Sequence, residues 1–105
     1  MLALAEGPET ALAVHMATGL PVWSCVNAYL LGQVVLPTDV KHVLIYADKD
    51  QTGTGQNAAI ELHERLMLAG IYAAIRLPKV TIPRGHKSVD WQDIWADRGK
   101  EGFLR

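Results

Sequence analysis

An α/β fold built on a parallel sheet is what the sequence predicts, on three observations. Apolar strand-like runs alternate with helical stretches along the chain. The run "HVLIYA" at 42–47 is apolar on both faces, as a central parallel strand covered by helices on each side must be. Glycine or proline punctuates most of the joints between these stretches.

The elements follow in order. "MLALA" (1–5) reads as a short buried strand ended by Glu6-Gly7. Pro8 suits the first turn of a helix and Glu9 is favourable near its positive end. The helix "ETALAVHMAT" is apolar almost all round, hence well buried, and Gly19 stops it. "PVWSCV" (21–26) makes a second strand. Residues 27–39 are ambiguous: "NAYLLG" suits a helical turn and "VVLP" an extended segment. After the strand 42–47, a helix runs from about Gly55 to Ala69, with Ala59, Leu62, Leu66 and Ala69 on one stripe and Gly70 at its end. "IYAAIRL" (71–77) is a fourth strand, "PKVTIPRGHKS" a loop, and "VDWQDIWADR" a final short helix closed by Gly99.

The 105 residues make one domain with a single core, and half of them are apolar, which excludes a disordered tail. No apolar stretch approaches the ~20 residues needed to span a bilayer, so the chain reads as cytoplasmic with no membrane partner. A single Cys25 leaves no disulfide partner within the chain, and no Cys/His spacing suggests zinc. Cys25 reads as a small buried apolar residue. A net charge of −1 means that any nucleic-acid binding must come from local patches and not from the bulk surface. Met1 followed at once by "LALA" suggests a domain taken from a longer polypeptide.

Ligands of open parallel sheets bind beyond the carboxyl ends of the strands, where the strand order reverses. Glu6 lies just past the first strand, and Asp48 and Asp50 just past the third. With those strands adjacent, as in a 2-1-3-4 order, the three carboxylates converge on one crevice. Crowded carboxylates repel one another, so a counter-charge is required. Oxygen ligands without His or Cys select a hard cation, Mg2+ or Mn2+, which takes its remaining ligands from water and phosphate. The bland reading is that two aspartates after a strand start a turn and cap the next helix.

"LALAEGPETALAV" followed by "VLIYADKDQTGTGQNAA" resembles the Toprim domain, the metal-binding unit of bacterial-type primases, type IA and II topoisomerases and RecR-like repair proteins. The wording is closest to the Toprim domain of phage- and plasmid-type primase-helicases, and the likeness runs from residue 2 to about residue 98. It implies a Rossmann-like sheet of about four parallel strands with an active site at the carboxyl ends of strands 1 and 3. It also implies that Glu6 is a general acid/base or metal ligand, and that Asp48 and Asp50 hold Mg2+. Asp90 and Asp93 of "DWQD" match the third acidic element that follows the fourth strand in that family. Many members carry an aspartate four residues after the motif glutamate, where this chain has Thr10; Glu9 is the neighbouring acid.

The loop residues Lys79, Arg84, His86 and Lys87 emerge at the same end of the sheet and suit a nucleic-acid backbone or a triphosphate, or else form a merely solvated loop. Gly53 and Gly55 allow close backbone approach or simple flexibility. Gln56 and Asn57 suit helix capping, and His15 and His63 packing or surface positions. Trp91 and Trp95 can stack bases, though their spacing with Ile94 favours core anchoring.

Three functions compete. The first is a Mg2+-dependent nucleotidyl-transfer domain of a DNA primase, acting on DNA template and nucleotides with the rest of a primase or helicase chain. The second is a non-catalytic metal and nucleic-acid binding module of a replication or repair protein. The third is a haloacid-dehalogenase-type phosphatase with Asp48 as nucleophile, which leaves Glu6-Gly7 unexplained.

Overall fold

The computed structural model describes residues 1–25 and 28–103. Its strands β1 (Leu2–Ala5), β2 (Val22–Ser24), β3 (His42–Tyr46) and β5 (Tyr72–Arg76) form one parallel sheet in the order β2-β1-β3-β5. The first and third strands are therefore neighbours, in register from Leu2 opposite Val43 to Ala5 opposite Tyr46. The strand-end residues Glu6 and Asp48 consequently leave the sheet side by side.

Side-chain alternation along the strands sorts the core into two layers. Leu2, Leu4, Val43 and Ile45 point to one face, where they pack with Leu31 of helix α2 (Ala28–Gln33) and with Ala59, Leu62 and Leu66 of helix α3 (Thr54–Leu68). Ala3, Ala5 and Tyr46 point to the other, against Ala11 and Val14 of helix α1 (Pro8–Thr18) and Trp91 and Ile94 of helix α4 (Trp91–Arg98). Only alanines of β1 face α1, so that helix can sit close to the sheet. On the α4 side, Tyr46, Trp91 and Phe103 form an aromatic cluster, with Trp91 edge-on to Tyr46 at 5.2 Å and tilted against Phe103 at 4.8 Å.

Several sequence expectations are adjusted. The second strand closes at Ser24, before Cys25, and the proposed Val26 end lies outside the described residues, as does Asn27. The ambiguous segment contains α2, whose Leu31 is fully buried. Ala69 does not share the buried stripe; it caps α3 beyond the last turn and faces solvent. The loop after β5 holds a strand that the sequence reading missed. β6 (Ser88–Val89) pairs antiparallel with β4 (Lys49–Asp50), which displaces the start of the last helix to Trp91. Two-residue strands carry too little periodicity to be read from sequence. Cys25 is buried, as expected, and burial pushes its thiol pKa up.

Leu62 is fully enclosed between α3 and the sheet. Replacing it with alanine should lower stability by about 2–5 kcal/mol without loss of helix content. Urea unfolding followed by circular dichroism measures this.

Candidate metal centre

The site grows from the ends of β1 and β3. Glu6 follows β1 directly, and Asp48 stands two residues past the end of β3. The Arg76 carbonyl at the end of β5 accepts hydrogen bonds from the Ala47 N–H (3.1 Å) and from the Trp91 indole N–H (3.2 Å). One carbonyl therefore fixes the residue before Asp48 and the residue after Asp90. Glu6, Glu9, Thr10, Asp48, Asp90 and Gln92 line a cleft of about 230 Å3 at this end of the sheet. The sequence-predicted Glu6, Asp48 and Asp90 are brought together there. Glu9 faces the same cleft, whereas Thr10 at the position of the missing aspartate is buried in its wall.

Glu6 Oε1 and Asp48 Oδ1 are buried and neither has a hydrogen-bond partner. The two carboxyls are nevertheless within hydrogen-bonding reach of each other. Two acceptors facing one another are satisfied only by a proton or a cation between them. Desolvation, the facing Glu6 carboxyl and the charge of Asp93 together push the Asp48 pKa up to about 8, against the opposing pull of the Trp91 backbone N–H. A pair of orphaned carboxylate oxygens with only oxygen donors nearby fits a hard divalent cation.

Asp50 is a different kind of aspartate. Its Oδ1 accepts from the Thr54 N–H and the Thr52 hydroxyl, each at 3.0 Å, and its Oδ2 accepts from the Gly55 N–H at 3.0 Å. It thus serves as the anionic anchor of the first turn of α3, a structural role on top of any ligation. Partial burial alone would raise its pKa, but the donors Gly55, Thr52, Gly53 and Thr54 hold it below the ordinary value. Gln56, assigned to capping or substrate from sequence, clamps the Asp50 backbone, receiving its N–H (3.4 Å) and donating to its carbonyl (3.1 Å). No sequence signal pointed to that clamp.

Gly55 is the tightest point. A Cβ there would stand 3.0 Å from Glu6 Oε1, 3.0 Å from the Asp48 carbonyl and 3.2 Å from Asp50 Oδ2. The three motif acids thus meet at the one residue of α3 that has no side chain. Gly53, at φ 77°, makes the left-handed turn into the helix.

Asp90 and Asp93 form a capping box at the start of α4. The Asp93 N–H donates to Asp90 Oδ1 (2.8 Å), and the Asp90 N–H donates to Asp93 Oδ2 (3.0 Å). Asp90 also lines the cleft, and desolvation with the charges of Asp93 and Asp48 raises its pKa in spite of the Asp93 N–H. Asp93 itself is exposed, caps the helix and acts on Asp48 through its charge.

Lys79, Arg84, His86 and Lys87 are exposed on the loop between β5 and β6. That loop is stapled to the Asp48–Asp50 segment. The Lys49 ammonium donates to the Val80 carbonyl (2.9 Å), the Gln51 amide to the His86 carbonyl (2.9 Å), and the Gln51 N–H to the Lys87 carbonyl (2.9 Å). Lys49 therefore directs its charge away from the cleft. Trp91 is enclosed in the core, as its spacing suggested, while Trp95 is half-buried. His15 is at the surface, its Nδ1–H donating to the Leu20 carbonyl at 2.7 Å.

The two motif aspartates should respond oppositely to neutralisation in metal-free protein. Asp48 has a raised folded pKa, so its contribution to stability is full below the ordinary value of 3.8 and is lost as pH rises through about 8. Asp48→Asn should flatten that decline and raise the melting temperature at pH 8 and above. Asp50 has a lowered folded pKa, so its contribution is present above the ordinary value and is lost as the solution is acidified through the folded pKa. Asp50→Asn should destabilise by about 1 kcal/mol at neutral pH through the weakened helix anchor. Thermal melts of both variants across pH 4–9 decide the matter; equal signs would contradict the assignment. Separately, Gly55→Ala should cost about 1–3 kcal/mol by overpacking against three acidic residues, and should weaken divalent-ion binding more than Ala59→Gly does in calorimetric titration.

Among the described residues, no helix is long and apolar enough to cross a membrane. Compared with known proteins, the chain matches neither a curated protein nor a solved structure. The family model of the Toprim domain, however, matches residues 1–101. Toprim domains are in general metal-binding modules for nucleotidyl or phosphoryl transfer in primases, topoisomerases and nucleases, and this supersedes the phosphatase reading. With its parallel four-stranded sheet and its strand-end acids, this chain belongs to the Toprim domain family.

Proposed function

We propose that this chain is the Mg2+-dependent (or Mn2+-dependent) nucleotidyl-transfer domain of a DNA primase, one domain of a longer cytoplasmic replication chain. The observation that carries the metal reading is the pair of buried, donorless oxygens on Glu6 and Asp48. Glu6 and Asp48 would hold the ion, with Asp50 and Asp90 at its margins and Asp93 contributing charge. When bound, the ion would supply electrostatic stabilisation for phosphoryl oxygens, the usual role of Mg2+ in such transfers.

The chain's own residues divide the remaining tasks. Asp50, held by the first turn of α3, keeps the Asp48 loop in place. Glu6, whose carboxyl lines the cleft beside Asp48, is the acid we assign to accept a proton from an attacking hydroxyl. Lys79, Arg84, His86 and Lys87 line an exposed loop tied to that same segment, and would hold template or triphosphate. DNA template and nucleotides are the partners this implies. The primase assignment rests on the motif wording of the sequence.

A second reading, a non-catalytic metal and nucleic-acid module, draws support from Asp50 being engaged by a helix terminus and from Thr10 standing where many members have an aspartate. Backbone amide shifts during a Mg2+ titration test what the two share. Shifts should cluster at Glu6 and Gly7, at residues 48–53 and at residues 90–93, and should vanish in Asp48→Ala. Incorporation of labelled ribonucleotides on a single-stranded DNA template by the full-length parent protein, lost in Glu6→Gln, separates the first reading from the second. Unchanged amide shifts in Asp48→Ala would refute both.

A further inference from the structure

A second cavity adjoins the acidic cleft. It measures about 150 Å3 and lies between α1 and α4, lined by Leu12, Ala13, Met16 and Trp95. Glu9 and Gln92 border both this groove and the cleft, so the two are neighbours that share a wall. Their chemistries differ sharply: carboxylates at one end, aliphatic and aromatic surface at the other.

The groove is not a packing flaw of the core. Leu12 and Met16 stand one helical turn apart on α1 and are 59% and 51% exposed. Trp95 and the buried Ala13 complete the lining of the groove. Trp91 is consumed by the core, edge-on to Tyr46 with its indole N–H on the Arg76 carbonyl. Trp95 touches Phe103 edge-on at 6.4 Å and is half-buried, which leaves part of its ring in the groove wall. The volume falls below the roughly 300–1,000 Å3 of pockets that take drug-sized ligands. It suits a single planar ring with one apolar wall and a polar mouth.

We infer that this groove holds the nucleobase of a nucleoside triphosphate whose phosphates lie at the metal in the acidic cleft. The inference rests on the metal reading above and extends it to substrate class. A base has two apolar faces and a polar edge. Its faces would lie against Trp95, Leu12 and Met16, and Gln92 at the mouth offers both an amide donor and an amide acceptor to its edge. The sugar would then cross the Glu9–Gln92 border between the two cavities. Recognition by stacking on apolar walls tolerates any base, as copying a template requires.

The experiment is a pair of calorimetric titrations of the wild-type protein in excess Mg2+, one with ATP and one with inorganic tripolyphosphate. ATP should bind roughly tenfold more tightly, the scale of one base stacked on an aromatic ring. That advantage should disappear in Trp95→Ala and in Met16→Glu, the latter an exposed position whose change leaves the core intact, while tripolyphosphate affinity stays the same. In NMR spectra the Trp95 indole resonance should shift with ATP but not with tripolyphosphate, and that of Trp91 should shift with neither. Equal affinity for the two ligands would overturn the base groove while leaving the phosphate site standing. Failure of tripolyphosphate to bind in wild type would overturn the metal-phosphate reading itself. A short oligothymidylate that needs Trp95 when ATP does not would assign the groove to a strand and refute the nucleotide.

Discussion

Two carboxylate oxygens, on Glu6 and Asp48, are buried against one another without a donor for either, and the structure around them exists to tolerate this. Such an arrangement is unfavourable by itself, since desolvation and like charge act in the same direction. It persists because neither side chain can leave. β1 and β3 are paired in register to their last residues, β1 is buried along its whole length and β3 at its carboxyl end, and α3 closes over the strand ends with a residue that has no side chain. The sheet spends part of its packing energy on holding together two groups that would separate in water.

The other acids around the cleft are already occupied. Asp50 anchors α3, and Asp90 and Asp93 cap α4 through reciprocal backbone hydrogen bonds. Backbone N–H groups thus neutralise much of the charge at the rim, while the centre keeps its demand for a counter-charge. An Asp-x-Asp pair looks symmetrical in sequence, yet its members here have opposite electrostatic character: Asp48 is driven toward its neutral form and Asp50 toward its ionised form. Lys49 between them, the obvious internal counter-ion, is turned away onto the Val80 carbonyl. The centre is left to a proton or, in the proposed reading, to an external cation.

The legibility of the fold followed the strength of local periodicity. β3 and α3 were readable because a two-faced apolar run and a stripe of Ala59, Leu62 and Leu66 admit few alternatives. The adjacency of strands 1 and 3 was a condition set on the common 2-1-3-4 order; the sheet meets it and so puts Glu6 beside Asp48. What escaped was set by tertiary contact. α2 is six residues long, too short to show a helical period, and its Leu31 reaches the core. The β4–β6 pairing is two residues long and joins segments far apart in sequence. The Gln56 clamp required knowing that α3 starts at Thr54, whereas the Asp50 anchor is what the reading of the aspartates as turn and cap residues describes.

The small ribbon formed by β4 and β6 divides the basic loop into a fixed frame and a free tip. Val80 is held by Lys49, and His86 and Lys87 by Gln51, so the segment between them is closed at both ends on the acidic loop. Between these ties Ile82 packs against the core, while residues 83–85 are exposed and include Arg84. Exchanges at the exposed Arg84 can change what the tip touches without disturbing the strand ends where the carboxylates sit. The same short ribbon therefore separates an exposed surface, open to exchange, from the strand ends that carry the buried carboxylate oxygens.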